Sequence, residues 1–121
     1  MATANFRCTL AESQDARYEV PSGESVDPGE VITLDSTSDV IAVAPVGGNA
    51  GEVIAAYTRI PRLAIPLDVP TAGINSGVPV FFDGTEFTLE SSGANLCGTT
   101  YEPAALGGEV IINFNGAAHL E

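Results

Sequence analysis

The sequence predicts an all-β protein: a compact small β-barrel or β-sandwich of short antiparallel strands, carrying a flexible N-terminal arm. Three observations predict it. Thirteen glycines and eight prolines punctuate 121 residues, and turn signals recur at roughly 8–12-residue spacing, the rhythm of a barrel or sandwich. Between the turns lie short segments rich in Val, Ile and Thr, residues that fit a pleated, half-buried surface. No segment holds an apolar stripe at helical spacing over three turns. A chain of this length makes one domain. It divides into an arm over residues 1–20, a β-rich body over 21–117 and a tail over 118–121.

The arm, MATANFRCTLAESQDARYEV, has little apolar alternation and holds two of the four arginines, Arg7 and Arg17. It reads as a segment solvated alone or ordered on a partner, not as a packed core strand, and it lacks the apolar run of a signal peptide. PSGESVDPGE at 21–30 is dense in turn formers. VITL at 31–34 and VIAVAP at 40–45 then read as strands either side of the polar DSTSD. GGNAGE at 47–52 is a turn. VIAAYTRIPRLAIP at 53–66 favours strand, and Pro61, which has no N–H for a ladder, divides it in two or bends it as an edge.

LDVPTAGINSG at 67–77 is a loop with two turn signals, and VPVFFDGTEFTL at 78–89 is a hairpin. Taking Asp83-Gly84 as a two-residue turn sets Phe82 opposite Thr85 and Phe81 opposite Glu86. Val78, Val80, Phe82, Thr85, Phe87 and Leu89 then share one face, while Phe81 falls on the polar face with Pro79, Glu86 and Thr88. LCGTTYEP at 96–103 and EVIINFNG at 109–116 close the sheet, with Val110, Ile112 and Phe114 on one face of the last strand.

Charge excludes whole classes of partner. Sixteen acidic residues face four arginines and no lysine, for a formal net charge of −12. Binding to a nucleic-acid backbone needs clustered Lys and Arg, so neither nucleic acid nor an anionic membrane is an expected partner. No apolar run approaches the roughly 18–20 residues that span a bilayer. The acidity serves solubility or steers a positively charged partner. Cys8 and Cys97 stand 89 positions apart without a CxxC pair, and the single histidine is His119. Both cysteines read as unpaired, and no zinc ligand set is present.

No catalytic constellation emerges. His119 lies in the tail, away from any nucleophile the sequence singles out. The carboxylate groups Glu24/Asp27/Glu30 and Asp35/Asp39 fall in turn-rich segments, where such residues cap and solvate, and no EF-hand pattern is present. The glycine turns VGGNAGE and LGGE lack the Lys and Ser/Thr of a phosphate loop and precede strands, not helices. The acidic and glycine-rich motifs of the trimeric β-fold dUTP pyrophosphatases are not matched. The expectation is a protein that is not an enzyme and holds no cofactor or metal. What remains is surface: Tyr57, Ile60 and Leu63 around Pro61, and Phe81 on the hairpin, are the candidate interface residues.

The order of segments resembles a known family. GEVITLDSTSDVIAVAPVGGNAGEVIAAYTRIPRLAIP, followed by SGVPVFFDGTEFTLESSGANLCGTTYEPAALGGEVIINFNG, is similar to the small decoration, or cement, proteins of tailed-phage heads. The matching parts are Gly77-Val80-Phe82-Asp83-Gly84, then Gly98-Thr99-Thr100, then Gly107-Gly108 before Val110-Ile112-Phe114. The likeness covers about residues 22–116 and lies in turn chemistry and alternation; residues 1–20 have no clear counterpart.

The resemblance implies a homotrimer seated on the outside of the virion's expanded capsid, bound to the major capsid protein and holding the shell against internal DNA pressure. It also implies a capsid-binding arm, which places Phe6, Arg7, Leu10, Arg17 and Tyr18 in that contact. The alternative expectation is another non-catalytic β-rich binding module, for cell-surface or carbohydrate adhesion.

Overall fold

The structure is a computed structural model that describes residues 4–6, 14–20, 22–33 and 40–118. Its strands are β1 (Asn5–Phe6), β2 (Gln14–Glu19), β3 (Ser25–Val26), β4 (Val31–Thr33), β5 (Ile41–Val43), β6 (Gly48–Asn49), β7 (Val53–Ile65), β8 (Pro79–Phe82), β9 (Phe87–Thr88), β10 (Asn95–Thr100) and β11 (Val110–Asn115). The expected all-β class is what forms. Nine strands make one antiparallel sheet in the order β4-β5-β7-β11-β10-β8-β9, with β1 and β2 added along β7, and β3 and β6 pair separately.

β7 is the axis of the sheet. Leu63, in its second half, pairs with Phe6 of β1 on one side and Ile112 of β11 on the other. Tyr57, in its first half, pairs with Asp15 of β2 and Val43 of β5. Sheet order puts β4–β5 and β8–β9 at opposite ends. Yet Val31, Ile41 and Val43 share one core with Val80, Phe82 and Phe87, because the sheet curls into a half-barrel. A second cluster of Val20, Val26, Ile32, Ala42, Ala44 and Ala56 lies beside it. β5 feeds both clusters, so Ile41–Ala44 is buried throughout and shows no polar alternation.

Pro61 does not divide β7 or place it at an edge. Ile112 pairs with Leu63 and Phe114 with Ile60, so Pro61 and Arg62 together stand opposite Asn113 alone. This bulge accommodates a residue without an N–H. It also resets the alternation, so Ile60 and Leu63, three apart, are 1% and 0% exposed. Both are core residues, and their assignment to an interface is corrected.

The segment expected to be an unpacked arm is built into the fold wherever it is described. Six residues of β2 pair with β7, from Gln14↔Arg59 to Glu19↔Val53. Ala4 is buried and its N–H donates to the Gly29 carbonyl at 2.7 Å. Val20 is buried and bonded at both ends to the 51–52 turn, its N–H to Glu52 O and its carbonyl from Gly51 N–H, each at 2.9 Å.

In the hairpin, Phe82 pairs with Phe87 and Phe81 with Thr88, so the connection runs over Asp83–Glu86 and is longer than the Asp-Gly reading. The register moves by two positions. Phe82 and Phe87 therefore keep the inward face and Phe81 the outward one. At the far end of β11, Gly116 closes the sheet junction. The Ile41 N–H donates to Gly116 O at 3.0 Å, and the Gly116 N–H donates to Thr58 O at 2.8 Å.

Candidate interaction surface

The described residues among those assigned to the arm lie along β7. Phe6 stands at the Leu63 register position and Arg17 at that of Ala55, while Arg7 and Leu10 lie outside the described residues. Tyr18, paired with Ile54, packs on the second cluster and lines a groove of about 480 Å³ with Glu24, Val26, Glu30 and Ile32. Burial, then the Glu24 and Glu30 carboxylates, holds its phenol above the ordinary tyrosine range. Glu30 is itself buried, and its Oε1 accepts the Asp27 N–H at 3.1 Å. That carboxylate closes a turn.

Tyr57 is partly buried against the main core. Phe81 is half-buried, in register with Leu96 on one neighbour and Thr88 on the other. An outward apolar cross-strand pair of this kind stabilises a sheet by about 0.2–1 kcal/mol. The phenylalanine that looked misplaced on a polar face thus has a neighbour of its own kind, supplied by a strand fifteen positions later. Beneath it, the Phe82 and Phe87 rings pack tilted, 5.2 Å apart.

The hairpin tip is ordered by one carboxylate. Asp83 Oδ1 accepts the Glu86 N–H at 2.8 Å and the Thr85 N–H at 2.9 Å. These donors, Glu86 first, hold its carboxyl below the usual aspartate value. Cys97 sits in a β10 bulge between Leu96 and Gly98. It is free and buried, its thiol donates to Val80 O at 3.5 Å, and burial pushes its pKa up to about 12. Among the described residues no group of three or more His, Cys, Asp or Glu is placed to hold a metal ion.

Sequence reasoning missed the large apolar residues that are in fact exposed: Val46, Val53, Tyr101 and Leu106. Tyr101 and Leu106 share the connection between β10 and β11. A groove of about 360 Å³ lies between that connection and the one joining β7 to β8. The available signal was Leu106 itself, a large apolar residue inside the ALGG turn.

Comparison with protein-family models, with curated proteins and with solved structures finds no match. The fold and its surface therefore define a class only, an all-β protein with a curled, branched sheet.

Proposed function

We propose that the chain is a phage head decoration protein, which binds the outside of the expanded capsid as a trimer and stabilises it against DNA pressure. The observation that supports this reading is where the resembling segments fall. Gly77 to Gly84 is β8 with its turn, Gly98 to Thr100 ends β10, and Val110, Ile112 and Phe114 are the buried face of β11. The likeness therefore lies in residues that determine the sheet, in their order. A net charge of −12 also suits a protein that covers a DNA-filled shell without adsorbing DNA.

The mechanism is adhesion. A ligand that binds only the assembled, expanded lattice stabilises that lattice by mass action. Three linked copies add avidity, because each further contact forms at high effective concentration. No turnover is involved.

The test mixes the purified chain with expanded empty heads of the phage that encodes it and measures co-sedimentation. Sedimentation equilibrium gives the free mass in units of the 12.4 kDa chain. Saturable binding to expanded heads, with none to unexpanded ones, is the expected result. Absence of binding to expanded heads overturns the proposal.

A further inference from the structure

We propose that the end of the molecule formed by the 66–78 and 101–109 connections docks a protein surface that presents an apolar side chain among lysines and arginines. In naming the face that meets the shell, this inference rests on the decoration reading.

The two connections leave and enter the same end of the sheet. β7 stops at Ile65 and β8 starts at Pro79, while β10 stops at Thr100 and β11 starts at Val110. They are fastened to each other. Ile74 and Ala104 exchange both backbone hydrogen bonds, at 2.8 and 2.9 Å, and the Gly77 N–H donates to Thr100 O at 2.8 Å. The buried Thr100 hydroxyl accepts the Val78 N–H at 2.9 Å and donates to Asn75 O at 2.6 Å. Each connection also closes a turn of its own, Gly73 N–H to Pro70 O and Gly108 N–H to Ala105 O. A surface held in this way loses little conformational entropy when a partner binds.

This ordered surface presents two large apolar side chains among polar ones. Leu106 is 63% and Tyr101 48% exposed, and the groove beside them is walled by Ala72, Ile74, Pro103, Ala104 and Leu106 together with the polar Thr71 and Asn75. The groove has room for an inserted apolar side chain. Single exposed apolar residues need no explanation. Two large ones on one short, rigid connection beside a groove do.

Charge selects the occupant. No lysine or arginine follows Arg62 in the chain, and Asp68, Glu102 and Glu109 stand exposed on these two connections. A second copy would bring the same carboxylates to the contact, and nucleic acid or anionic lipid would be repelled. A cationic rim around an apolar residue complements both features. The charges speed encounter and the inserted side chain sets residence time.

The test titrates the isotope-labelled full chain, at low salt, with an acetylated Lys-Arg-Leu-Lys-Arg peptide and its Ser-for-Leu counterpart, and maps amide shifts by NMR. The expected shifts cluster on residues 72–74 and 101–106. They weaken about tenfold with the serine peptide or in Leu106→Ser, the order expected for one leucine's burial. Asp68→Asn with Glu102→Gln should lower affinity and flatten its salt dependence. The spectrum of each free variant reports its folding.

Shifts spread over every acidic turn, no shift at millimolar peptide, or the same shifts on concentrating the chain alone would each overturn the proposal, the last by making a second copy the occupant. Head binding separates the two proposals. Wild-type occupancy by Leu106→Ser removes this face and leaves decoration standing. Failure of the wild-type chain to bind heads removes decoration, while the peptide map still decides the face.

Discussion

Gly116→Ala tests the sheet junction on which the half-barrel depends. Gly116 is buried, and a Cβ added there would occupy the space of the Ile41 carbonyl oxygen. Its φ lies outside the left-handed range, so the cost is steric alone. To admit the methyl group, the end of β11 must move away from β5. This breaks the Ile41 N–H bond to Gly116 O and strains the Gly116 N–H bond to Thr58 O. Each bond contributes about 0.5–1.5 kcal/mol net, and one buried group left unpaired adds about 1–3 kcal/mol. The sum is about 2–6 kcal/mol, out of a total stability of about 5–15 kcal/mol for a domain.

The control is Gly107→Ala. Gly107 has φ +80° and open space where its Cβ would lie. It should cost only the left-handed penalty of about 1–2 kcal/mol, less about 0.4–1 kcal/mol regained from the unfolded chain. Near this chain length, one kcal/mol moves Tm by about 4 °C. Circular-dichroism melts should therefore show losses of about 8–24 °C for Gly116→Ala and about 4 °C for Gly107→Ala. Equal losses for the two variants would refute the close approach of β11 to β5.

Three further predictions follow from single elements. Asp83 has its native carboxyl pKa lowered below the ordinary 3.8 by the Glu86 and Thr85 amides. Its stabilisation is thus complete above the unfolded value and lost as pH falls through the native one; a carbon-NMR titration midpoint at or above 3.8 would contradict this. Cys97, with its thiol pushed up to about 12, should resist an aromatic disulfide reagent at pH 8 in a Cys8→Ser chain and react only on unfolding, whereas reaction at the rate of a free thiol would show the site to be open. Deleting residues 1–18 removes most of β2, Tyr18 and the buried Ala4, and should lower stability by about 2–3 kcal/mol in urea titration from apolar burial alone; an unchanged midpoint would mean that β2 does not pack on β7.

The sequence carried the alternation of the body well, and the residues it misjudged share a cause. Val80, Phe82, Phe87, Val110, Ile112 and Phe114 are legible because each strand shows one face to one core. The hairpin faces were legible but its loop length was not. Asp-Gly is a local signal, whereas the observed register is set by the Phe82–Phe87 pair and by the Asp83 carboxylate folding back on Glu86. The Pro61 bulge depends on counting residues in β11, which only the paired sheet reveals. β2 was legible and overlooked. Ala16, Tyr18 and Val20 alternate with Asp15, Arg17 and Glu19, the period of a strand with one covered face. At Leu106 the sequence offered only a large apolar residue inside a turn; its exposure was not legible, because that depends on what packs over it.

The acidity has a structural share that composition alone hides. Glu30 Oε1 accepts the Asp27 N–H, Glu52 Oε1 the Asn49 N–H and Asp83 Oδ1 the Glu86 N–H, each across three positions. Three turns thus use one device: a carboxylate occupying a backbone donor that the turn would leave to solvent. Such a fold accumulates negative charge as it accumulates turns, and self-repulsion rises with it. With four arginines and no lysine to offset that charge, association between like copies must overcome repulsion through apolar contact. Association with a cationic surface gains from the same field. The two options make opposite demands on salt, since screening favours the first and weakens the second. The salt dependence of whatever contact this protein makes therefore reports the sign of its partner before the partner is known.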